Sequence, residues 1–348
     1  MQHTKLVTAA AFFGLIALTL TGCGTTEDAA SNEITIVTNS SWTLPDDGTL
    51  NEYREKTGVT VNLVNGEESG TLDSKLILTK DNPVGDAVVG LTANNIVKVA
   101  AAGVFDTQVE IKAPAGAEKY AVADAPGTVA LDRSDACFNY DIAYFQNSGL
   151  QPPKNLDDLL KPEYKGLSVI EDPAKSDTGF ALLTATIKEY GEDGYLDYWQ
   201  KLLANDTKVD SGWDDAYNVD FTLGESGTGK YPIVMSYASS PYWTMNPEKT
   251  ASTTANVPGG CYPVVDYGAV LKGAKNPQAA AEFLSWLGEP ETQTILANAN
   301  VTYPIDESAE LPEGMAEFAP RPDTGDPLDP KLIANSREKW LAAVAKLL

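Results

Sequence analysis

Over 348 residues the chain carries 25 Lys and Arg against 49 Asp and Glu, a formal net charge of −24 with a pI near 4.3. That acidic excess makes nucleic acid and anionic membrane surfaces poor partners, and it suits a solvated surface or a cationic ligand. The one histidine, His3, falls in a leader segment, so the mature chain has no parts for a Ser-His-Asp or Cys-His centre or a histidine metal site. No metal and no cofactor are expected.

Residues 1–22 read as an export signal. Lys5 supplies the positive start, and Leu6 to Leu20 is mostly apolar but short for a membrane span. The run Leu20-Thr21-Gly22-Cys23 matches a bacterial lipobox, which makes Cys23 the lipid anchor; the plainer alternative is a secretory signal beside a chance cysteine. Residues 23–32 then form a polar tether. The expected place is extracytoplasmic, lipid-anchored to the bacterial cell membrane. Cys137 and Cys261 remain as an even pair in an oxidising compartment, so a disulfide is preferred over two buried thiols.

Ile34 to Thr38 alternates as a first strand and runs into the polar loop Asn39-Ser40-Ser41-Trp42. A helix around Leu50 to Lys56, closed by Gly58, precedes a strand over Val59 to Val64. Leu72 to Thr79 reads as helix and Asp86 to Gly90 as strand, followed by Thr92, Asn94 and a Val- and Ala-rich helix ending before Gly103. Such alternation predicts a parallel sheet with helices on both faces. Val129 to Phe138 is extended. Asn155 to Leu159 reads as a capped helix start, and Leu167 to Glu171 as a strand. The loop Ser176-Asp177-Thr178-Gly179 opens the helix Phe180 to Tyr190; it suits an anion or polar head group, or simply caps the helix.

Asp210 to Tyr217 starts another helix and offers Trp213. Ile233 to Met235 is a buried strand that runs into Ser236-Tyr237-Ala238-Ser239-Ser240-Pro241-Tyr242-Trp243. Hydroxyls, three rings and a helix-starting proline at a strand end are the parts of a ligand site in an open α/β fold, or of a packed junction. Tyr262 to Leu271 is again extended, Asn276-Pro277 caps the helix Gln278 to Leu287, and Pro330 to Leu348 closes the chain with Trp340 on its apolar side. The run Gly224 to Lys230 copies most of a phosphate loop. It precedes a strand and has Tyr231 where a hydroxyl should follow the lysine, so it reads as a flexible glycine-rich turn. Ser336 and Lys339 share a Ser-x-x-Lys spacing on a polar helix side without a partner motif.

The lipobox, the α/β units joined by extended crossings and the return helix are similar to the solute-binding proteins of ABC importers. Gly90 to Asn95, Glu171 to Gly179, Gly212 to Tyr217, Leu223 to Ser226, Ser236 to Trp243 and Tyr303-Pro304 resemble the thiamine-binding periplasmic proteins in particular. The resemblance implies a two-lobed, periplasmic-binding-protein-like (type II) α/β fold with the ligand cleft between the lobes. Lobe 1 would be residues 33–131 plus 266–305, and lobe 2 residues 136–262 plus 306–348. The implied ligand is thiamine, a thiamine phosphate or a related cationic heterocycle. Trp213, Tyr237, Tyr242 and Trp243 would form aromatic walls, Ser176 to Gly179 with Ser40 and Ser41 would hold polar or phosphate ends, and Asn39, Asn94, Ser239, Ser240 and Tyr303 complete the candidate site. Asn39 stands where the family presents an aromatic ring, and Val301 where it has a tryptophan; Trp42 or Tyr303 would compensate. A permease and ATPase complex is the implied partner, with the binding protein a monomer. Cys137 and Cys261 would meet where the two crossings run side by side at the hinge. A polyamine or ferric iron in the same fold, or an extracytoplasmic hydrolase, are the competing readings.

Overall fold

The β-branched runs of the sequence become strands of two separate sheets. In chain order these are β1 (Glu33–Thr38), β2 (Thr60–Asn65), β3 (Ala87–Thr92), β4 (Thr128–Arg133), β5 (Ala136–Asp141), β6 (Ser168–Glu171), β7 (Lys208–Asp210), β8 (Ile233–Tyr237), β9 (Thr254–Tyr262), β10 (Val265–Val270) and β11 (Tyr303–Pro304). The computed structural model describes residues 32–39, 42–65 and 69–348. Cys23, the signal, nearly all of the tether, Ser40 and Ser41 lie outside the described residues.

The first sheet runs β11-β4-β10-β3-β1-β2 and the second β7-β6-β8-β5-β9. β1 lies parallel to β2 and β3, and β6 parallel to β7 and β8, as alternating strands and helices require. The wholly parallel sheet expected from the sequence does not form. β10 is antiparallel to β3 and β4, and β5 is antiparallel to β8 and β9. The cause lies in the crossings: β4 continues through Ser134 and Asp135 into β5 of the other sheet, and β9 returns through Pro263 and Val264 into β10. No helix turns the chain at either passage, so the returning strand lies antiparallel beside the outgoing one. The Ser134 N–H donates to the Val264 carbonyl at 2.9 Å, and the Val264 N–H donates to Asp135 Oδ1 at 3.3 Å. One step further Cys137 pairs in register with Cys261, and a disulfide joins them with Cα atoms 4.0 Å apart.

Successive strand residues face opposite sides, and both sheets bury both faces. On β3, Val88 and Leu91 pack with Leu72, Leu76, Ile96 and Val99, while Ala87 and Val89 pack with Ile36, Phe283 and Leu284. In the second sheet Phe138, Ile170, Ile233 and Met235 meet Phe180, Leu183 and Trp199 of the helix Asp177–Ala204. Ile333, Trp340 and Val344 of the closing helix Pro330–Val344 join the same core.

Several local expectations change. The helix read as Phe180 to Tyr190 does break there, at Gly191 (φ 73), but resumes to Ala204. Asn155 Oδ1 accepts the Asp158 N–H at 3.0 Å, yet what it caps is a short 3-10 turn, Asp157–Leu160. Asn276 does not cap the helix Pro277–Leu287 with its side chain; its Nδ2 donates to the Glu33 carbonyl at 2.7 Å. The turn 224–230 has an exposed tip, while two of its glycines lie close against neighbouring backbone. A Cβ at Gly229 would lie 1.8 Å from the Phe221 carbonyl oxygen and one at Gly224 would lie 2.5 Å from that of Tyr217, so these two glycines serve close backbone approach.

Two predictions follow from this packing. The disulfide closes a separation of 124 residues, for which the chain-entropy account gives about 4–5 kcal/mol. Replacing both cysteines (Cys137→Ala with Cys261→Ala) should lower the denaturant midpoint accordingly while leaving the circular dichroism spectrum intact. Glu171 ends β6 fully buried; Thr178 Oγ1 donates to its Oε2 at 2.9 Å, while its Oε1 has no partner. Burial pushes this carboxyl up to about 8. Between the ordinary glutamate range and that value the folded chain keeps a proton that the unfolded chain releases, so Glu171 makes stability fall as pH rises through the window. Glu171→Gln should therefore flatten the melting temperature between pH 5 and 8, which a thermal scan across pH would read directly.

Candidate functional site

A cavity of about 330 Å³, within the ordinary range for a small-molecule site, takes its walls from both sheets at the crossings. Its first wall begins where β1 ends. Asn39 is buried; its Nδ2 donates to the Gly90 carbonyl at 3.0 Å and its Oδ1 accepts the Trp42 N–H at 2.8 Å. Gly90 has φ +88, and a Cβ there would stand 2.6 Å from Asn39 Nδ2, so glycine is what lets the amide close in. Those bonds set the ring of Trp42 against the cavity. Asn300 clasps the next residue in both directions, accepting the Thr43 N–H at 2.9 Å and donating to the Thr43 carbonyl at 3.0 Å.

The crossings supply the floor. Asp132 on β4 stands opposite Asp266 on β10, at 1% and 7% exposure. The register shifts immediately after Asp266, a bulge of the kind that re-aims a side chain. Ser134 Oγ donates to Asp266 Oδ2 at 2.7 Å. Burial holds Asp132 well above the usual carboxylate range, and the neighbouring Asp266 charge adds to it. Burial raises Asp266 as well, against hydrogen bonds from Ser134 and Asp132 and with help from the charges of Asp177 and Asp135. Burial and mutual proximity thus favour a shared proton over two adjacent charges. Trp42 Nε1 and Thr302 Oγ1 face Asp132 and favour its ionised form, yet Asp132 Oδ2, Trp42 Nε1 and Thr302 Oγ1 each lack a partner in good hydrogen-bond geometry. None of the residues described as lining the cavity is Lys or Arg. Arg133, next to Asp132, is held by Asp135 and by the Tyr120 hydroxyl.

The second sheet brings the rings. Trp213 stacks on Tyr217, with centroids 4.9 Å apart and planes at 14°, and donates from Nε1 to Ser236 Oγ at 2.8 Å. Ser236 in turn shares a 2.9 Å hydrogen bond with Ser240. Tyr237 meets Trp213 at 6.0 Å and 51°. Trp243 closes the short helix Ser240–Trp243 and lines the cavity while 70% exposed.

The structure therefore brings Asn39, Trp42, Asp177, Thr178, Trp213, Tyr237, Ser239, Ser240 and Trp243 to one cavity. Asn94, Ser176, Gly179, Tyr242 and Tyr303 do not line it. Tyr242 packs with Cys137, Ala238 and Met315, and Tyr303 is buried with its hydroxyl on the Ala319 carbonyl at 3.0 Å, so neither replaces a missing face. The loop at 176–179 is capped from within: the Gly179 N–H donates to Ser176 Oγ at 3.4 Å, Ser176 and Thr178 share a 2.8 Å bond, and Thr178 donates to Glu171. Sequence reasoning missed Thr92, Asp132, Ser134, Ala136, Val264, Asp266, Asn300 and Thr302, and gave Val301 no site role. The available signal was an acid directly after an apolar run in each crossing, Asp132 after Val129-Ala130-Leu131 and Asp266 after Val264-Val265.

The bacterial extracellular solute-binding protein family matches residues 49–321. The chain is 32% identical over 287 residues to the thiamine-binding periplasmic protein of Salmonella typhimurium (strain LT2), which covers 80% of this chain and 81% of that relative. A solved periplasmic thiamin binding protein superposes with a TM-score of 0.72 at 27% identity, covering 90% of this chain and 96% of that one. A Trichodesmium protein in complex with iron and citrate superposes with a TM-score of 0.70 at 17% identity over 90% and 99%, a likeness of fold alone. With a cleft shared by two α/β sheets and a match across most of its length, the chain belongs to the bacterial extracellular solute-binding proteins.

Proposed function

We propose that this protein is the extracytoplasmic receptor of an ABC importer and that its ligand is thiamine or a closely related cationic heterocycle. One observation carries the reading: Trp42, Trp213, Tyr237 and Trp243 surround the Asp132–Asp266 carboxylates in a cavity with no Lys or Arg among its described lining. A thiazolium is a flat cation. Its faces suit aromatic rings, and its charge suits a carboxylate pair that ionises as the cation enters. The names of the Salmonella relative and of the solved thiamin binding protein support the same ligand.

In this reading the Cys23 lipid holds a monomer at the membrane, where it hands its ligand to a permease and ATPase complex and turns nothing over. Lobes of residues 33–131 plus 266–305 and 136–262 plus 306–348 close about the crossings, because only the closed state lets the ligand touch both walls. Ferric iron fits less well, since Tyr237 is the one tyrosine in the described lining.

Calorimetry of the mature protein should show thiamine binding with a change in tryptophan fluorescence; spermidine binding without any response to thiamine would overturn the ligand. Trp243→Ala should weaken binding by about 1–3 kcal/mol at almost no cost in stability, since its ring is largely exposed. Trp213→Ala should weaken it similarly but also lower stability through the lost Tyr217 stack. Trp340→Ala, which removes a fully buried ring bonded to Glu192, should cost about 3–5 kcal/mol of stability and leave affinity intact. Cys23→Ser should release the exported protein from the membrane fraction.

A further inference from the structure

We infer that Asp73 and Arg337 are a positioning pair for ligand binding: they bond to one another from opposite sheets when the walls close on the ligand, and so raise affinity without lining the cavity. This rests on the function proposed above and adds to it two residues outside the site.

Arg337 breaks a pattern. On the closing helix Ile333, Trp340 and Val344 recur at helical spacing in the core of the second sheet, and Arg337 falls on the same stripe, one turn from Ile333 and from Trp340. Its guanidinium stands 4.8 Å over the ring of Phe180, near the start of the helix Asp177–Ala204, whose first residue lines the cavity. Its Nε is buried without a partner. The guanidinium reaches Glu338 at 4.0 Å, but that carboxylate is exposed and adds little.

Asp73 is the matching anomaly on the first sheet. The helix Ser69–Leu78 lays Leu72 and Leu76 into the core beside β3. Asp73, next to Leu72, is 5% exposed, and its Oδ2 has no partner. Burial pushes this carboxyl up to about 7; Asn95 opposes the shift, the charge of Asp177 adds to it, and the charges of Arg337 and Lys98 oppose it. Asp73 therefore feels a cation from the second sheet and an anion at the edge of the cavity. The elements also touch: the closing helix packs on the helix Ile96–Ala101, which shares its core with Leu72 and Leu76.

A buried acceptor and a buried donor of opposite charge, one on each sheet and unbonded, each carry a desolvation cost. Bonding them removes both costs. A bond made only in the closed arrangement shifts the population toward that arrangement. A cationic ligand beside Asp177 offsets the charge that disfavours ionised Asp73, so its arrival promotes the bond to Arg337.

A double-mutant cycle in the mature protein tests the pair. Asp73→Asn, Arg337→Met and the double variant are titrated with thiamine by calorimetry and stopped-flow tryptophan fluorescence, and melted without ligand. Each single change should weaken thiamine binding by about tenfold, chiefly through faster release, and the double change should do no more than one single change. Ligand-free melting temperatures should not fall, because each variant removes an unpaired buried charge. Unaltered affinity in the single variants, or losses that simply add, would overturn the pair while leaving the thiamine reading in place. A drop in ligand-free stability with affinity kept would do the same, since that is the mark of a contact serving the fold alone. No thiamine binding by the unaltered protein would overturn both.

Discussion

Because the chain passes between its two sheets twice along neighbouring strands, four strand ends, a disulfide and a carboxylate pair converge on one narrow seam. The seam is covalently fixed on one side only. Cys137 and Cys261 lock β5 to β9 just inside the second sheet, whereas β4 and β10 are held by a ladder interrupted at Asp266. A bulge bends its strand and increases the local twist. The sheets are joined through Ser134 and Asp135 on one passage and Pro263 and Val264 on the other, next to the residues that floor the cavity. If the lobes close about these crossings as the proposed function has it, closing the cleft and meeting a cation draw on the same few bonds.

Burying Asp132 and Asp266 opposes folding whichever way the proton sits. Protonated, the pair leaves Asp132 Oδ2 without a partner; ionised, it sets two charges side by side with no guanidinium to balance them. Arg133 would relieve this, but Asp135 and Tyr120 hold it instead. A packed core has no reason to keep such an arrangement, and a site for a cation does. In the proposed function a cationic ligand supplies the missing positive charge, and binding then removes a cost that the fold alone carries.

The sequence revealed the fold through features that act locally. The alternating strand at Ile34 to Thr38, the Gly58 stop, and the hydroxyl-rich run after Ile233 to Met235 needed no knowledge of distant contacts, and each appears where expected. The mixed character of the sheets did not, because strand direction at a crossing depends on which strands become neighbours. The same limit applies to the site. The rings Trp213, Tyr237 and Trp243 sit at strand and helix ends, where composition marks them. Asp132 and Asp266 sit within extended runs, where only register decides which of two alternating faces meets the cavity. The helix start at 176–179 offered two readings of equal standing, and the order of bonds from Gly179 through Ser176 and Thr178 to Glu171 is that of a cap.

The first-sheet wall shows how an aromatic face can be supplied from an unexpected position. The resemblance to the thiamine-binding family places rings where this chain has Asn39 and Val301. Neither residue is a simple loss. Asn39 ties Gly90 to the backbone of Trp42, and Val301 adopts a left-handed conformation, φ 53, that costs a β-branched residue on the order of 1–3 kcal/mol. That strain is held by the cluster of Cys137, Ala238, Tyr303 and Met315, and it follows directly on Asn300, which clasps Thr43 beside Trp42. Asn39, Trp42, Thr43, Asn300 and Val301 thus form one braced unit whose product is a single buried indole facing the carboxylates. The Nε1 of that indole stands beside Asp132 and favours its ionised form, a donor that a phenyl ring lacks. In the proposed function this wall presents the ring of Trp42 to the ligand beside the Asp132 carboxyl.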